Sequence, residues 1–305
     1  MSRRGWALFI AMCVIWGIPY LLIRVAIRDF EPGTLVFART ALPALILLPI
    51  AWHRDMIRPL LPHWRILAVY TVAEIAGPWY LLSAAEEHLT SSLTGLLVAA
   101  VPLIGILAAF AVGHTQDRLD RRRLLGLAVG FAGVVALVGI EVRGAELVAL
   151  GQVALTAIGY AVGPLIVARR LAHLPSLGVI AVTLGVAAVG YAPYALTHLP
   201  ASVSAESAVS VALLAIVCTA LAFLLFFALI AEVGPARATV ITFINPAVAV
   251  LLGVLLLGEP FSVGIAVGFP LILLGSFFAT ARNRRPAVAA GEDVCVRDTP
   301  QVAEP

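Results

Sequence analysis

Lysine is absent from this 305-residue chain; all 20 of its basic residues are arginine, and nothing in the physics of a fold accounts for that choice. Charge of either sign is scarce. Charged residues make up 12% and hydrophobic residues 62%, with a mean hydropathy of +1.04. A soluble domain carries roughly 25% charged and about 45–50% apolar residues, so a separate soluble domain is excluded. Cysteine is sparse as well. Cys13, Cys218 and Cys295 are scattered, two of them inside apolar runs, with no disulfide or metal spacing, and read as inert packing residues. No HExxH, GxSxG or Walker pattern occurs, which removes zinc hydrolases, serine hydrolases and nucleotide-driven pumps and implies no metal and no cofactor. No basic face with interleaved aromatics is present, so nucleic acid is not an expected partner.

What the chain does have is apolar sequence in span-length pieces. A membrane helix needs about 20 mostly apolar residues. Ten candidates follow, over 6–27, 33–52, 65–84, 91–112, 123–141, 147–168, 176–197, 208–231, 236–257 and 262–281. The N-terminus starts like a signal peptide, but its apolar run is longer than a signal core and no small-residue cleavage site follows, so it reads as the first span. The fold class expected is an all-α integral membrane protein of ten transmembrane helices. Residues 282–305, rich in proline, alanine and charge, read as a disordered cytoplasmic tail.

Arginines fall on one side of this scheme. Arg3, Arg4, Arg54, Arg58, Arg65, Arg118, Arg121, Arg122, Arg123, Arg169, Arg170, Arg237, Arg282, Arg284 and Arg285 share a face, and only Arg28 and Arg143 lie opposite. The positive-inside rule then places both termini in the cytoplasm of a cell-membrane protein, with Trp6, Trp52 and Trp64 at the same interface.

The chain also resembles itself. Shifted by 144 residues, Pro102 meets Pro246; at nearly the same shift Pro32 meets Pro175, and Gly126 and Gly133 recur as Gly268 and Gly275. The two repeats span 1–143 and 144–281, five helices each. Five is odd, so the second repeat inserts inverted. Pro102 and Pro246 both lie roughly 15 Å into their spans, near the midplane. Matched interruptions in inverted repeats point to a transporter's binding site, and both prolines are candidate helix breaks or gates.

The residues "IWGIPYLLIRVAI" in the first span, with the Trp16-Gly17 pair, and "VGPARATVITFINPAVAVLLGVLLLGEPFSVGIAVGFPLILLGSF", with Pro246, Gly258, Glu259, Gly268 and Gly275, resemble the drug/metabolite transporter superfamily, EamA type. The likeness extends to Ala281. Two positions depart from it. Arg24 stands where the family often has lysine, and the first repeat reads "VGHTQDRLD", with His114 where a glutamate is expected. The resemblance implies a secondary carrier that commonly exports amino acids, related metabolites or toxic small molecules.

Polar residues at membrane depth are the candidate substrate contacts. Glu74 and Arg39 enter from opposite sides to depths that differ by roughly 6 Å. They are either a buried ion pair between two helices or a proton or amine acceptor beside a carboxylate binder. Arg24 is expected to snorkel. Gln152, Thr156 and Tyr160 share one helical face, as do Thr239, Thr242 and Asn245, and Trp16 pairs with Tyr20 at i+4; each stripe suits a cavity lining or glue between helices. Tyr80 adds a further aromatic wall. All six histidines lie near span ends or loops, so no midplane relay is formed. The reading is an exporter of a small metabolite working by alternating access, with a proton as candidate coupling ion and a homodimer neither required nor excluded. An importer of the same fold, or a membrane enzyme using Glu74 as base, are the alternatives.

Overall fold

The computed structural model describes residues 1–111, 121–141, 146–238 and 240–280. Among them are nine helical spans long and apolar enough to cross a bilayer: α1 (Arg3–Ala26), α2 (Pro32–His53), α3 (Arg58–Ala85), α4 (Ser91–Ala108), α5 (Arg121–Gly139), α6 (Leu147–Leu171), α7 (Ser176–Thr197), α8 (Ala205–Val233) and α10 (Val263–Thr280). A tenth apolar helix, α9 (Ile241–Leu257), is shorter. Hydrocarbon offers the backbone no partners, so each span must close its own hydrogen bonds. Leu45, Val135, Val189 and Leu255 point outward and are exposed, as side chains facing acyl chains should be.

The helices pair in a pattern. α5 packs along α10, α2 along α7 and α4 along α9; α3 packs on α6, and α1 on α8. This set of pairs is unchanged when α1–α5 are exchanged with α6–α10. The α5–α10 seam is a backbone contact. A Cβ added at Gly275 would sit 2.2 Å from Gly130 N, one at Gly126 would sit 2.5 Å from Ala279 N, and one at Gly133 would sit 2.7 Å from Ile272 N. Lipid supplies no hydrophobic drive between helices, so close approach of glycine faces gives the attraction.

Two of these nine spans are interrupted by a turn among the described residues, and a separate short helix, Pro235–Ala238, precedes α9. In α4, the segment Ser91–Val98 ends in a tight turn and the helix restarts at Val101. Leu103 N–H bonds to Ala100 O at 2.9 Å instead of reaching Ala99 O, and Pro102 has no N–H to offer Val98. Ser276 Oγ of α10 approaches the freed Ala99 carbonyl at 3.5 Å. In α1 the break falls between Ile15 and Pro19. Gly17 N–H bonds to Val14 O at 3.0 Å, which leaves Cys13 O without its usual partner four residues on.

The interruption expected at Pro246 is not there. α9 runs through Pro246, as other helices run through Pro43, Pro49, Pro164, Pro193 and Pro270. One missing N–H is tolerated where neighbouring groups serve the backbone; a break needs the chain to turn, which it does before Pro102. Asn245 nevertheless faces a break, the one in α1. With its side-chain amide turned to the orientation that its neighbours satisfy, the nitrogen donates to Cys13 O and to Ile241 O, each at 3.0 Å. A Cβ on Gly17 would lie 2.5 Å from Val248 Cβ, so only glycine lets α9 pass the break in α1 this closely.

Candidate functional site

The α3 helix changes register in its middle. Thr71–Ala76 forms a π-helical turn, and Glu74 lies on it. Such one-turn widenings concentrate at functional sites because they free carbonyls and re-aim side chains. Here the surrounding helices are fitted to the turn. A Cβ on Gly159 of α6 would lie 2.4 Å from Ala73 O, Thr156 Oγ1 donates to Pro78 O at 3.3 Å, and Tyr191 of α7 donates its hydroxyl to Ala76 O at 2.9 Å. α8 carries a π turn of its own at Ile216–Leu221, with Thr219 Oγ1 donating to Leu214 O at 2.8 Å. It stands 145 residues after the first (216 − 71), the same place in the second repeat.

Arg39 of α2 faces Trp79, three residues past the first turn, and Cys218 of the second. It is 6% exposed, and its Nε and Nη1 are buried with no hydrogen-bond partner. Its guanidinium carbon sits 3.8 Å from the centroid of the Trp79 ring. A desolvated cation over an indole face gains about 2 kcal/mol, which offsets only part of the cost of burying the charge. Tyr20 of α1, Tyr160 of α6, Cys218 of the α8 π turn and Glu86 are within electrostatic reach of it. Tyr160 also senses Glu74, and so links that residue to the cluster.

Two buried carboxylates lie near this cluster, Glu86 within electrostatic reach of the arginine and Glu74 linked to it only through Tyr160. Glu74 is pressed against α6, where a Cβ on Gly163 would fall 1.8 Å from its Oε2, and that oxygen is buried without a partner. Glu86, at the end of α3, is fully buried with neither carboxylate oxygen hydrogen-bonded. Its charged neighbours are Arg24, Glu259 and Arg39. Arg24, half-buried, reaches the end of the α3 span. Its Nη1 donates to the backbone carbonyl of Glu86, where a cation suits the C-terminal end of a helix.

The residues expected from sequence therefore divide. Tyr20, Arg39, Tyr160 and, through Tyr160, Glu74 come together. Arg39 and Glu74 do not form the ion pair that their depths allowed; Arg39 is drawn instead onto Trp79, and Glu74 onto the glycine face of α6. Trp16 packs on Phe226 at 4.7 Å and Phe223 at 5.9 Å of α8, and Tyr80 stacks on Tyr191 at 6.2 Å, 38% exposed. Thr156 and Asn245 spend their polar atoms joining helices. Gln152 keeps a buried, unbonded Oε1, and Thr242 is exposed. Thr239 and His114 lie outside the described residues. Trp79, Glu86 and Cys218 were not anticipated. Glu86 in "SAAEEHLT" looks like loop sequence, and Cys218 gives no signal until the α8 π turn aims it at Arg39.

Comparison with known proteins agrees with this architecture. Over 304 residues the chain is 28% identical to "Uncharacterized inner membrane transporter YedA" of Escherichia coli strain K12, covering 93% of this chain and 94% of that one. It is 24% identical to a "Probable amino-acid metabolite efflux pump" of Salmonella typhimurium strain LT2, covering 95% and 100%. A solved protein crystal structure superposes with a TM-score of 0.64 at 20% identity, covering 92% of this chain and 98% of the other, which shows a shared fold. The profile of the EamA-like transporter family matches residues 3–139 and 147–281. The chain is a membrane transporter of the drug/metabolite superfamily and belongs to the EamA-like transporter family.

Proposed function

We propose that this protein is a secondary-active carrier that exports a small zwitterionic or amphipathic metabolite, an amino acid or close relative, by alternating access. Its repeats, 1–143 and 144–281, would be inverted five-helix units, with both termini cytoplasmic. The exchange symmetry of the helix pairs and the arginine asymmetry support that reading.

The observation that carries the proposal is Arg39. Buried donors without partners are costly, and Arg39 holds two of them among Tyr20, Trp79 and Tyr160. A substrate carboxylate would satisfy both in the forked geometry that guanidinium favours. Glu74 and Glu86 are the acceptors for an ammonium group, or for a coupling proton when the ammonium leaves. The aromatic rings suit an apolar side chain. The breaks in α1 and α4 give two points at which half-helices can swing without opening a continuous hydrogen-bond ladder. The name carried by the Salmonella relative belongs to the same substrate class.

Counterflow in proteoliposomes tests this reading. Vesicles loaded with an unlabelled amino acid should accumulate the labelled form transiently, and Arg39→Gln should abolish accumulation while leaving insertion intact. Wild-type counterflow in Arg39→Gln across the amino acids transported would remove Arg39 from the site. Chemical alteration of the compound would favour an enzyme instead.

A further inference from the structure

A cavity of about 470 Å³ opens at the arginine-rich end of the bundle, between the start of α3 and the end of α6. His63, Arg65, Ile66, Arg169, Arg170 and His173 line it, and none of its lining residues is acidic. Arg169 and Arg170 are carried by the π turn Val167–Leu171 that closes α6. The His63 and His173 rings meet edge to face with centroids 5.2 Å apart. His63 Nδ1 lies 3.3 Å from Pro59 O, which assigns its proton to that bond and leaves Nε2 available to a ligand. Among the described residues, no carboxylate pairs with Arg65, Arg169 or Arg170.

Three guanidinium groups around one space repel one another unless an anion sits among them. Phosphate oxygens suit the planar forks of arginine, which can bind them bidentately. The surroundings indicate how such an anion arrives. Leu61 and Trp64 beside the cavity are 66% and 62% exposed, and the Arg65 guanidinium lies 5.4 Å from the Trp64 ring centroid. An exposed indole under a guanidinium is the arrangement of the membrane interface, and Ile66 adds an apolar wall. A free anion from water has no use for these groups, whereas a headgroup attached to acyl chains does.

We propose that this cavity binds the phosphate of an anionic phospholipid headgroup and so clamps the ends of α3 and α6, the two helices that enclose Glu74. The proposal does not depend on the identity of the transported substrate or on Arg39.

Native mass spectrometry of the full chain released from detergent tests it, with phosphatidylglycerol, phosphatidylcholine and inorganic phosphate as probes. Phosphatidylglycerol should be retained and phosphatidylcholine lost. Each arginine near a membrane surface adds roughly fivefold to binding of an anionic lipid, so Arg169→Gln with Arg170→Gln should weaken retention about 30-fold. Because those arginines also bear on insertion, His63→Ala with His173→Ala serves as a second variant that leaves the arginine pattern untouched, and it should weaken retention severalfold. Unchanged phosphatidylglycerol retention in both double variants would overturn the proposal. Inorganic phosphate displacing the lipid completely at millimolar concentration, with no preference for phosphatidylglycerol over free phosphate, would overturn the lipid as the source and leave a soluble anion as the ligand.

Discussion

Glu259 holds Ser92 with one carboxylate oxygen: Oε2 accepts from the Ser92 backbone N at 2.9 Å and from its Oγ at 2.5 Å. Oε1 does the same for Ser91, at 2.8 Å and 2.9 Å. The first N–H groups of a helix have no partners within it, and a carboxylate there is favoured by the helix dipole. Glu259 thus ties the loop after α9 to the start of α4, and Gly258, in the left-handed region at φ 66°, turns the chain to bring it there. Glu259→Ala should destabilise the protein by about 2–4 kcal/mol, since it leaves charge-assisted bonds unmade. Glu259→Gln should retain part of that stability. Thermal unfolding in detergent checks the order; equal midpoints for wild type and Glu259→Ala would show the cap to be energetically idle.

The glycine seam gives a prediction with an internal control. At Gly275 the obstructing atoms are Gly130 backbone at 2.2 and 2.3 Å, and backbone cannot rotate away. Gly275→Ala should force α5 and α10 apart and cost about 3 kcal/mol or more, at the upper end for overpacking. Gly139, on α5, has nothing within 4 Å of an added Cβ, so Gly139→Ala should be neutral or slightly stabilising through helix propensity. The two variants are compared by unfolding midpoint and by yield of folded protein. A mild Gly275→Ala would mean the seam can relax.

Glu74 and Gly163 should behave as one unit. Glu74→Gln removes the titratable group without changing its shape, and Gly163→Ala displaces the same side chain, whose Oε2 would lie 1.8 Å from the new methyl. Both should lower counterflow by about tenfold or more while membrane insertion is unchanged, an effect worth about 1.4 kcal/mol of lost substrate stabilisation. Full activity in Glu74→Gln, with loss only in Gly163→Ala, would reduce the contact to packing.

How far the sequence could be read depends on what each feature requires. Hydropathy marked the spans because a bilayer demands apolar length, and the glycines of α5 and α10 were visible as a repeated spacing. Arg39 and Glu74 stood out because charge is rare at that depth. Their depths could not decide between a pair and two separate roles, because depth along a helix says nothing about rotation around it, and a π turn shifts that rotation for every residue of α3 after Thr71. The π turns themselves leave no composition signal. Glu86 was hidden for a different reason: two adjacent glutamates at a span end look solvated, and only the approach of Arg24 to the end of α3 shows that Glu86 is enclosed.

The two prolines that align in the repeats separate the roles of sequence and structure most sharply. Pro102 follows a turn at Ala99 and Ala100, and alanine in its place would restore an N–H for Val98 O, allowing Ser91–Val98 and Val101–Ala111 to fuse into one rod. Pro246 sits in a helix that is already continuous, so alanine there restores one bond and changes no topology. If the α4 break is a hinge for alternating access, Pro102→Ala should slow counterflow about tenfold or more, whereas Pro246→Ala should stay within about twofold of wild type, a difference below about 0.4 kcal/mol in barrier. Both should insert normally, which protease accessibility of the loops would confirm. The opposite ranking would move the hinge from α4 to α9 and would make the aligned proline, rather than the preceding turn, the working element.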